Sequence, residues 1–361
     1  MKARVNNRRY GYTAALALSL GVFGVFSVDG SVYAGFVPTY ITVPAALVLS
    51  SLPALAVQAV LSRHKTAQNE KLFSSIFPKI NSMFFALILS AALILSSAKP
   101  LSVFTEVLHK LVFDGVDVKL ILAFVFPVVA YIAYKGADCA SNTAIILALP
   151  LLLSLVLSIA LSAESFDISR LYPFPGASLE DSARHILSSS ASFIPVMAGT
   201  VIISSGSDSS GQASVSRALL IALPATAVSL LSIRLVYPAP LLVDMTMPLY
   251  RIGFLDPWPS YLLRLDKPFI MLWLIGCLTA TAFCAAVSSH ALSATVGSSS
   301  KKYPAVIITI LIFLLALIEK NGGERISTVM HTAHCYLGIA SLIPLILMII
   351  PVTIRSRRRP S

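Results

Sequence analysis

The sequence predicts an all-α polytopic membrane protein of about ten transmembrane helices, and three observations lead there. Hydrophobic residues make up 57% of the 361 and charged residues only 12%, with a mean hydropathy of +0.84. A soluble domain is about 45–50% apolar and about 25% charged, so most of this surface must meet lipid. Apolar runs close to the roughly 20 residues that cross a bilayer recur along the whole chain, and they leave no room for an extramembrane catalytic domain. Finally, Lys and Arg collect in alternate connections between those runs, as cytoplasmic loops do.

Reading apolar runs against charged or Pro/Gly-rich breaks gives five candidate helices near 10–28, 35–61, 80–98, 117–134 and 140–163. Five more lie near 184–204, 215–236, 266–296, 303–319 and 331–354. The chain therefore reads as a single membrane domain, 1–361, with a first half over 10–163 and a second over 184–354. The first segment has a basic start (Lys2, Arg4, Arg8, Arg9) and the step Val32-Tyr33-Ala34, features of a cleavable signal peptide. Its apolar run exceeds the usual ~7–15 residues of such a peptide and another apolar segment follows at once, so it is read as the first helix.

The charges test the numbering of crossings. With the N-terminus placed inside, sixteen of the 27 Lys and Arg fall in cytoplasmic segments, with the clusters at Lys2 to Arg9, Arg63 to Lys79 and Arg355 to Arg359. Of the sixteen acidic residues only Glu70, Asp138 and Asp208 join them. Both termini are thus expected in the cytoplasm. Arg234 falls inside the seventh span, a few residues from its external end, where it either snorkels to the interface or contacts an anion at a pocket mouth. Two external connections are long, Ala163 to Ala183 and Tyr237 to Asp266, and their prolines exclude a continuous helix.

Composition also excludes classes of function. A net charge of +11 would suit nucleic acid only if the cations clustered on one water-facing surface, and here they are spread between apolar runs. Cys139, Cys277, Cys284 and Cys335 form no C-x-x-C pair and read as small buried hydrophobes. His331, His334 and Cys335 share helical spacing that in principle suits a metal, but with no acidic partner in sequence they read as an interfacial cluster. His290 needs only a hydrogen-bond partner, and Trp258, Tyr237, Tyr250 and Tyr261 read as interfacial anchors. No nucleophile elbow, Walker loop or H-E-x-x-H motif occurs. No enzyme, metal or cofactor is expected.

The residues that break the apolar rule lie in helices one and six. The first carries Gly21 and Gly24 in Ser19-Leu20-Gly21-Val22-Phe23-Gly24, and the sixth carries Ser188, Ser189, Ser190 and Ser192, then Phe193, Pro195 and Gly199. Matching Gly/Pro breaks in the two halves of a transporter mark discontinuous helices whose freed backbone groups hold substrate. Small residues also simply let helices pack closely. Spacing alone leaves both readings open.

Three stretches resemble the endospore germination permease family, the B subunits of spore nutrient-germinant receptors. They are Leu262-Leu263-Arg264-Leu265-Asp266 followed by Leu272-Trp273-Leu274-Ile275-Gly276, the loop Ala130 to Asp138 after helix four, and Arg170-Leu171-Tyr172-Pro173-Phe174-Pro175-Gly176 ahead of helix six. That resemblance implies the amino acid, polyamine and organocation transporter superfamily, with a five-plus-five inverted repeat and a site between broken helices 1 and 6. It implies that Gly21, Gly24, Ser189, Ser190, Phe193 and Pro195 line a pocket for an amino acid or similar small nutrient. It further implies an A-type subunit and a lipoprotein C-type subunit as partners in the spore inner membrane. The function expected is nutrient sensing, with a cation-coupled secondary amino-acid transporter as the alternative.

Overall fold

The computed structural model describes residues 2–26, 28, 37–63, 79–113, 115–172, 178–199, 215–243, 245, 248–252, 266–296, 302–321 and 328–337, together with 323, 325, 326 and 340. All regular structure among them is helical. The elements are α1 (Lys2–Phe26), α2 (Thr39–Arg63), α3 (Lys79–Leu111), α4 (Val118–Lys135), α5 (Ala137–Ser162), α6 (Leu179–Ser190), α7 (Val215–Val236), the short α8 (Ala239–Leu242) and α9 (Pro248–Ile252), α10 (Asp266–Val296) and α11 (Lys302–Asn321). A further helical stretch covers 328–337. The remainder of the tenth predicted span, 341–354, lies outside the described residues.

Seven of the described helices are long and apolar enough to cross a membrane. In hydrocarbon every backbone group must be satisfied internally, which favours helices whatever the local propensity. Proline is accordingly tolerated inside them, at Pro44 and Pro53 of α2, Pro100 of α3, Pro127 of α4, Pro150 of α5 and Pro224 of α7. Buried hydroxyls turn back onto the carbonyl one turn earlier, as in Ser50 to Ala46, Ser97 to Leu93, Thr226 to Ala222 and Ser288 to Cys284.

The sequence ended the third helix at 98, but α3 runs on through Lys99 and Pro100 to Leu111, 33 residues in all. At 1.5 Å per residue that is about 50 Å, well beyond the roughly 30 Å hydrocarbon core. Pro100 does not stop it because proline removes one hydrogen bond without forbidding a helix that neighbours support. The C-terminal turns are held by Glu106, which pairs with Lys110 at 2.6 Å and with Lys320 of α11 at 2.9 Å.

Burial sorts the helices. The spanning part of α10 is 78% buried and that of α3 61%, against 28% for α4 and α5 and 33% for α11. The central helices α1, α3 and α10 and the break of helix six share one core built on Leu16, Leu20, Phe23, Leu93, Phe193 and Phe283. On the rim, Phe124, Ile146 and Leu220 present apolar side chains outward, as lipid contact requires. Packing partners are α1 with α5 and α7, α2 with α6 and α7, α3 with α10 and α11, and α4 with α10 and α11. At the end of the bundle that holds the N-terminus, Tyr12 of α1 donates to Asp138 of α5 at 2.5 Å. The turn that delivers Asp138 needs Gly136, whose φ of 95° lies in the region L side chains avoid.

Candidate functional site

The two halves of the expected site behave differently. Helix six is interrupted. After α6 the chain tightens into a 3-10 turn over Ala191–Phe193, and a second helical piece starts at Pro195 and is described through 199. Pro195 frees one carbonyl there. It has no N–H to give to the carbonyl four residues back, so the Ala191 oxygen takes the Ile194 N–H at 3.3 Å and the Ser96 hydroxyl of α3 at 3.3 Å instead.

Helix one is not interrupted over its described residues. α1 is helical from Lys2 to Phe26, straight through Gly21 and Gly24, which corrects the expectation of a break there. Glycine costs a helix only about 1 kcal/mol per residue, which packing readily offsets. The two glycines serve different purposes. A Cβ on Gly24 would lie 2.8 Å from Thr226 Cγ2 and 3.0 Å from the Phe193 ring, so Gly24 lets α1 close on α7 and on the broken part of helix six. A Cβ on Gly21 would meet nothing within 4 Å. Gly21 instead lines an apolar cavity of about 120 Å³ with Ala17, Leu151, Leu155, Ala222, Ala225 and Trp273.

The structure therefore brings Gly24 against Phe193 and leaves Gly21 on a neighbouring face. Phe193 and Pro195 are buried. Ser190 donates back to Leu187 at 2.6 Å, whereas Ser189 bonds the His185 Nε2 at 3.1 Å. Through its other nitrogen His185 reaches the Thr42 hydroxyl of α2 at 2.8 Å.

This chain of contacts leads to a polar network that the sequence did not reveal. His334 is 6% exposed and its Nε2 lies 2.9 Å from Ser96 Oγ, the same hydroxyl that serves the Ala191 carbonyl. Cys335 donates to the Ser188 carbonyl at 3.8 Å, and its sulfur lies 3.8 Å from Nε2 of the exposed His331. The expected interfacial cluster is thus divided: His331 faces outward, while His334 is drawn in by the break in helix six. The available signal was Pro195, whose orphaned carbonyl needs a donor from a neighbouring helix.

Arg234 is also corrected. It is 4% exposed rather than snorkelled, and it donates to the Arg170 carbonyl at 3.1 Å. In return the Arg170 guanidinium donates to the carbonyls of Ser165, Leu235 and Val236. Cations at a helix C-terminus satisfy its last carbonyls and its dipole, so the two arginines latch the connection ahead of helix six onto the end of α7. Within that connection, hydrogen bonds from Ser169 and then the charge of Arg170 hold the Asp167 carboxyl below its ordinary pKa. Tyr237, just past the end of α7, is buried at 9% exposure. The side chains of Trp258, Tyr250 and Tyr261 lie outside the described residues.

An interrupted helix with a buried proline, packed on a glycine of helix one, is the kind of centre around which permeases are built. A family model described as spore germination protein matches residues 20–324. The chain belongs to the spore germination protein family. Like that family it is a multi-pass membrane protein. A search of the curated proteins finds no match.

Among solved structures, a mutant of the Eremococcus coleocola manganese transporter matches at 14% identity and a TM-score of 0.50, covering 96% of this chain and 78% of that one. A second mutant matches at 15% identity and 0.49, and a complex with an aromatic bis-isothiourea substituted compound at 14% and 0.47, with the same coverages. The first of these likenesses shows a shared all-helical transporter fold and, at such identity, nothing about cargo.

Proposed function

We propose that this protein is the nutrient-sensing membrane subunit of a spore germinant receptor. The observation that carries the reading is the contact of Phe193, in the break of helix six, with Gly24 of α1, in a chain of the germination family. A small nutrient such as an amino acid lodges between α1 at Gly21 and Gly24 and the segment Ser189, Ser190, Phe193 and Pro195. To enter, it must part Phe193 from Gly24. That requirement defines two states, and a ligand that binds the parted state better shifts the population toward it.

The architecture this reading requires is ten spans in a five-plus-five inverted repeat. Packing supports it. If α1 to α5 correspond to helix six, α7, α10, α11 and the 328–337 helix, then α1 with α7 mirrors α2 with α6, and α3 with α11 mirrors α4 with α10. The pairs α2 with α7, α3 with α10 and α4 with α11 join each helix to its own counterpart. Both termini lie in the cytoplasm, and the A-type and lipoprotein C-type subunits receive the shift in the spore inner membrane.

The test is a thermal-shift screen of the purified chain against amino acids, sugars and nucleosides, alone and with its partner subunits. A nutrient that raises the melting temperature is expected. A well-folded sample that responds to none, in either state of assembly, overturns the reading. The transporter fold favours one other reading, a cation-coupled amino-acid carrier. Concentrative uptake into vesicles that stops when the ion gradient is collapsed would establish it in place of a pure sensor.

A further inference from the structure

The cavity beside Gly21 lies between α1, α5 and α7, with Trp273 of α10 against it, and holds about 120 Å³. Every residue that lines it is Ala, Leu, Gly, Val, Ile or Trp. An apolar cavity of about 150 Å³ in a soluble protein stays dry and takes up benzene. This one therefore has room for a short hydrocarbon segment and little attraction for water.

Its shape and depth say which hydrocarbon. The lining runs along α1 from Ala14 to Val22 and along α5 from Ala148 to Leu155, which at 1.5 Å per residue makes a slot about 10–12 Å long. Because α5 spans from Ala137 to Ser165, the slot sits at the middle of that span and follows the helix across the membrane, the direction in which lipid chains lie. Its back is closed by α10, where a Cβ on Gly276 would lie 3.0 Å from Leu151 and 3.7 Å from Leu18. At its other side Leu152 and Ile221 are exposed, as are Leu149, Val156 and Leu220 on the same two helices. The solvent at that depth is hydrocarbon. A void deprives its lining of dispersion partners, and a lipid chain entering between α5 and α7 supplies them.

We propose that the slot binds one acyl chain of a membrane lipid, which passes over Gly21 and reaches Trp273. Ala222 lines the slot, and one turn further along α7 lies Thr226, the residue on which Gly24 packs. A chain in the slot thus bears on the seam between α1 and α7 beside the break of helix six. The membrane acts there whether the protein senses or transports.

The experiment uses Trp273 as the reporter. The chain has two tryptophans, Trp258 and Trp273, so Trp258→Phe leaves one, and that one is 6% exposed. The full chain carrying Trp258→Phe is placed in nanodiscs of phosphatidylcholine with or without bromine atoms at mid-chain, and tryptophan fluorescence is read. The expected result is quenching by the brominated chains that weakens stepwise when Gly21→Ala and then Gly21→Leu is added, and that also weakens with Ala225→Leu from the opposite wall. Circular dichroism and size exclusion check each variant. Gly21→Ala decides the matter even if a leucine variant fails to fold, since its Cβ meets nothing within 4 Å. Absence of quenching overturns the proposal, and so does quenching that is equal in every folded variant. Relief of quenching by added leucine assigns the slot to the apolar end of a nutrient and overturns it as well.

Discussion

Helices one and six carry the same kind of sequence hint, and among the described residues only helix six breaks. In helix six the hint is Pro195, which lacks a donor, so the Ala191 carbonyl leaves the helix and finds Ser96. In helix one it is Gly21 and Gly24, which keep their donors, and α1 continues to Phe26. Proline alters hydrogen bonding itself, whereas glycine alters only conformational freedom and room. Proline therefore names the carbonyl that must find another donor, but six prolines lie inside continuous helices here, so whether a helix breaks at proline, as at glycine, is left to its neighbours.

The comparison can be broken most forcefully at Gly24. Gly24→Leu forces side-chain atoms into Thr226 and Phe193, where even a Cβ would sit at 2.8 Å and 3.0 Å. Overpacking of that kind costs about 1–3 kcal/mol or more. A melting temperature in detergent well below wild type is expected, and an unchanged one would mean that α1 and helix six do not touch there.

Ser96→Ala addresses the other helix. It removes the donor to the Ala191 carbonyl and the partner of His334, and stranding a buried polar group costs about 1–3 kcal/mol. The loss should shrink when it is combined with Pro195→Ala, which restores a backbone N–H for Ala191. A double-mutant cycle on chemical or thermal unfolding reads that coupling, and strict additivity would show that the proline is not what frees the carbonyl.

Gly21→Ala should behave opposite to Gly24→Leu. Its Cβ meets nothing within 4 Å, and alanine favours a helix by up to about 1 kcal/mol over glycine. A small rise in melting temperature is expected, and a fall would indicate that α1 bends at Gly21 in the working protein.

The smallest effect lies in the connection that leads to helix six. The folded chain holds the Asp167 carboxyl below its ordinary pKa, so its contribution is complete above the unfolded value of about 3.9 and disappears as pH falls below it. Wild type and Asp167→Asn should therefore differ slightly in melting temperature near neutral pH and converge in acid. A gap that widens in acid would contradict the assignment.

Much of this molecule was readable from residues alone. The span predicted over 266–296 is α10 as observed and 215–236 is α7, whereas the family-like loop Ala130 to Asp138 is mostly helix, the end of α4 and the start of α5 with Gly136 between them. The reason is that lipid leaves the backbone little choice: a long apolar run becomes a helix because no water is present to satisfy it otherwise. The same reading placed breaks in both helix one and helix six, and the described residues show only the second. The end of α3 was misread for the complementary reason, since Lys99-Pro100 is a stop signal in isolation and a continuing helix in the company of α10 and α11.

What the sequence by itself determined is therefore local and one-dimensional: an all-helical membrane chain and where most of its spans lie. What only the tertiary structure decided is which groups meet. Gly24 reads as a packing residue because Phe193 and Thr226 close on it, His334 is interior where it meets the Ser96 hydroxyl, and Arg234 is interior where it donates to the Arg170 carbonyl. Those choices depend on contacts between residues as many as 238 positions apart, and hydrophobic periodicity along a single helix carries no information about its neighbours.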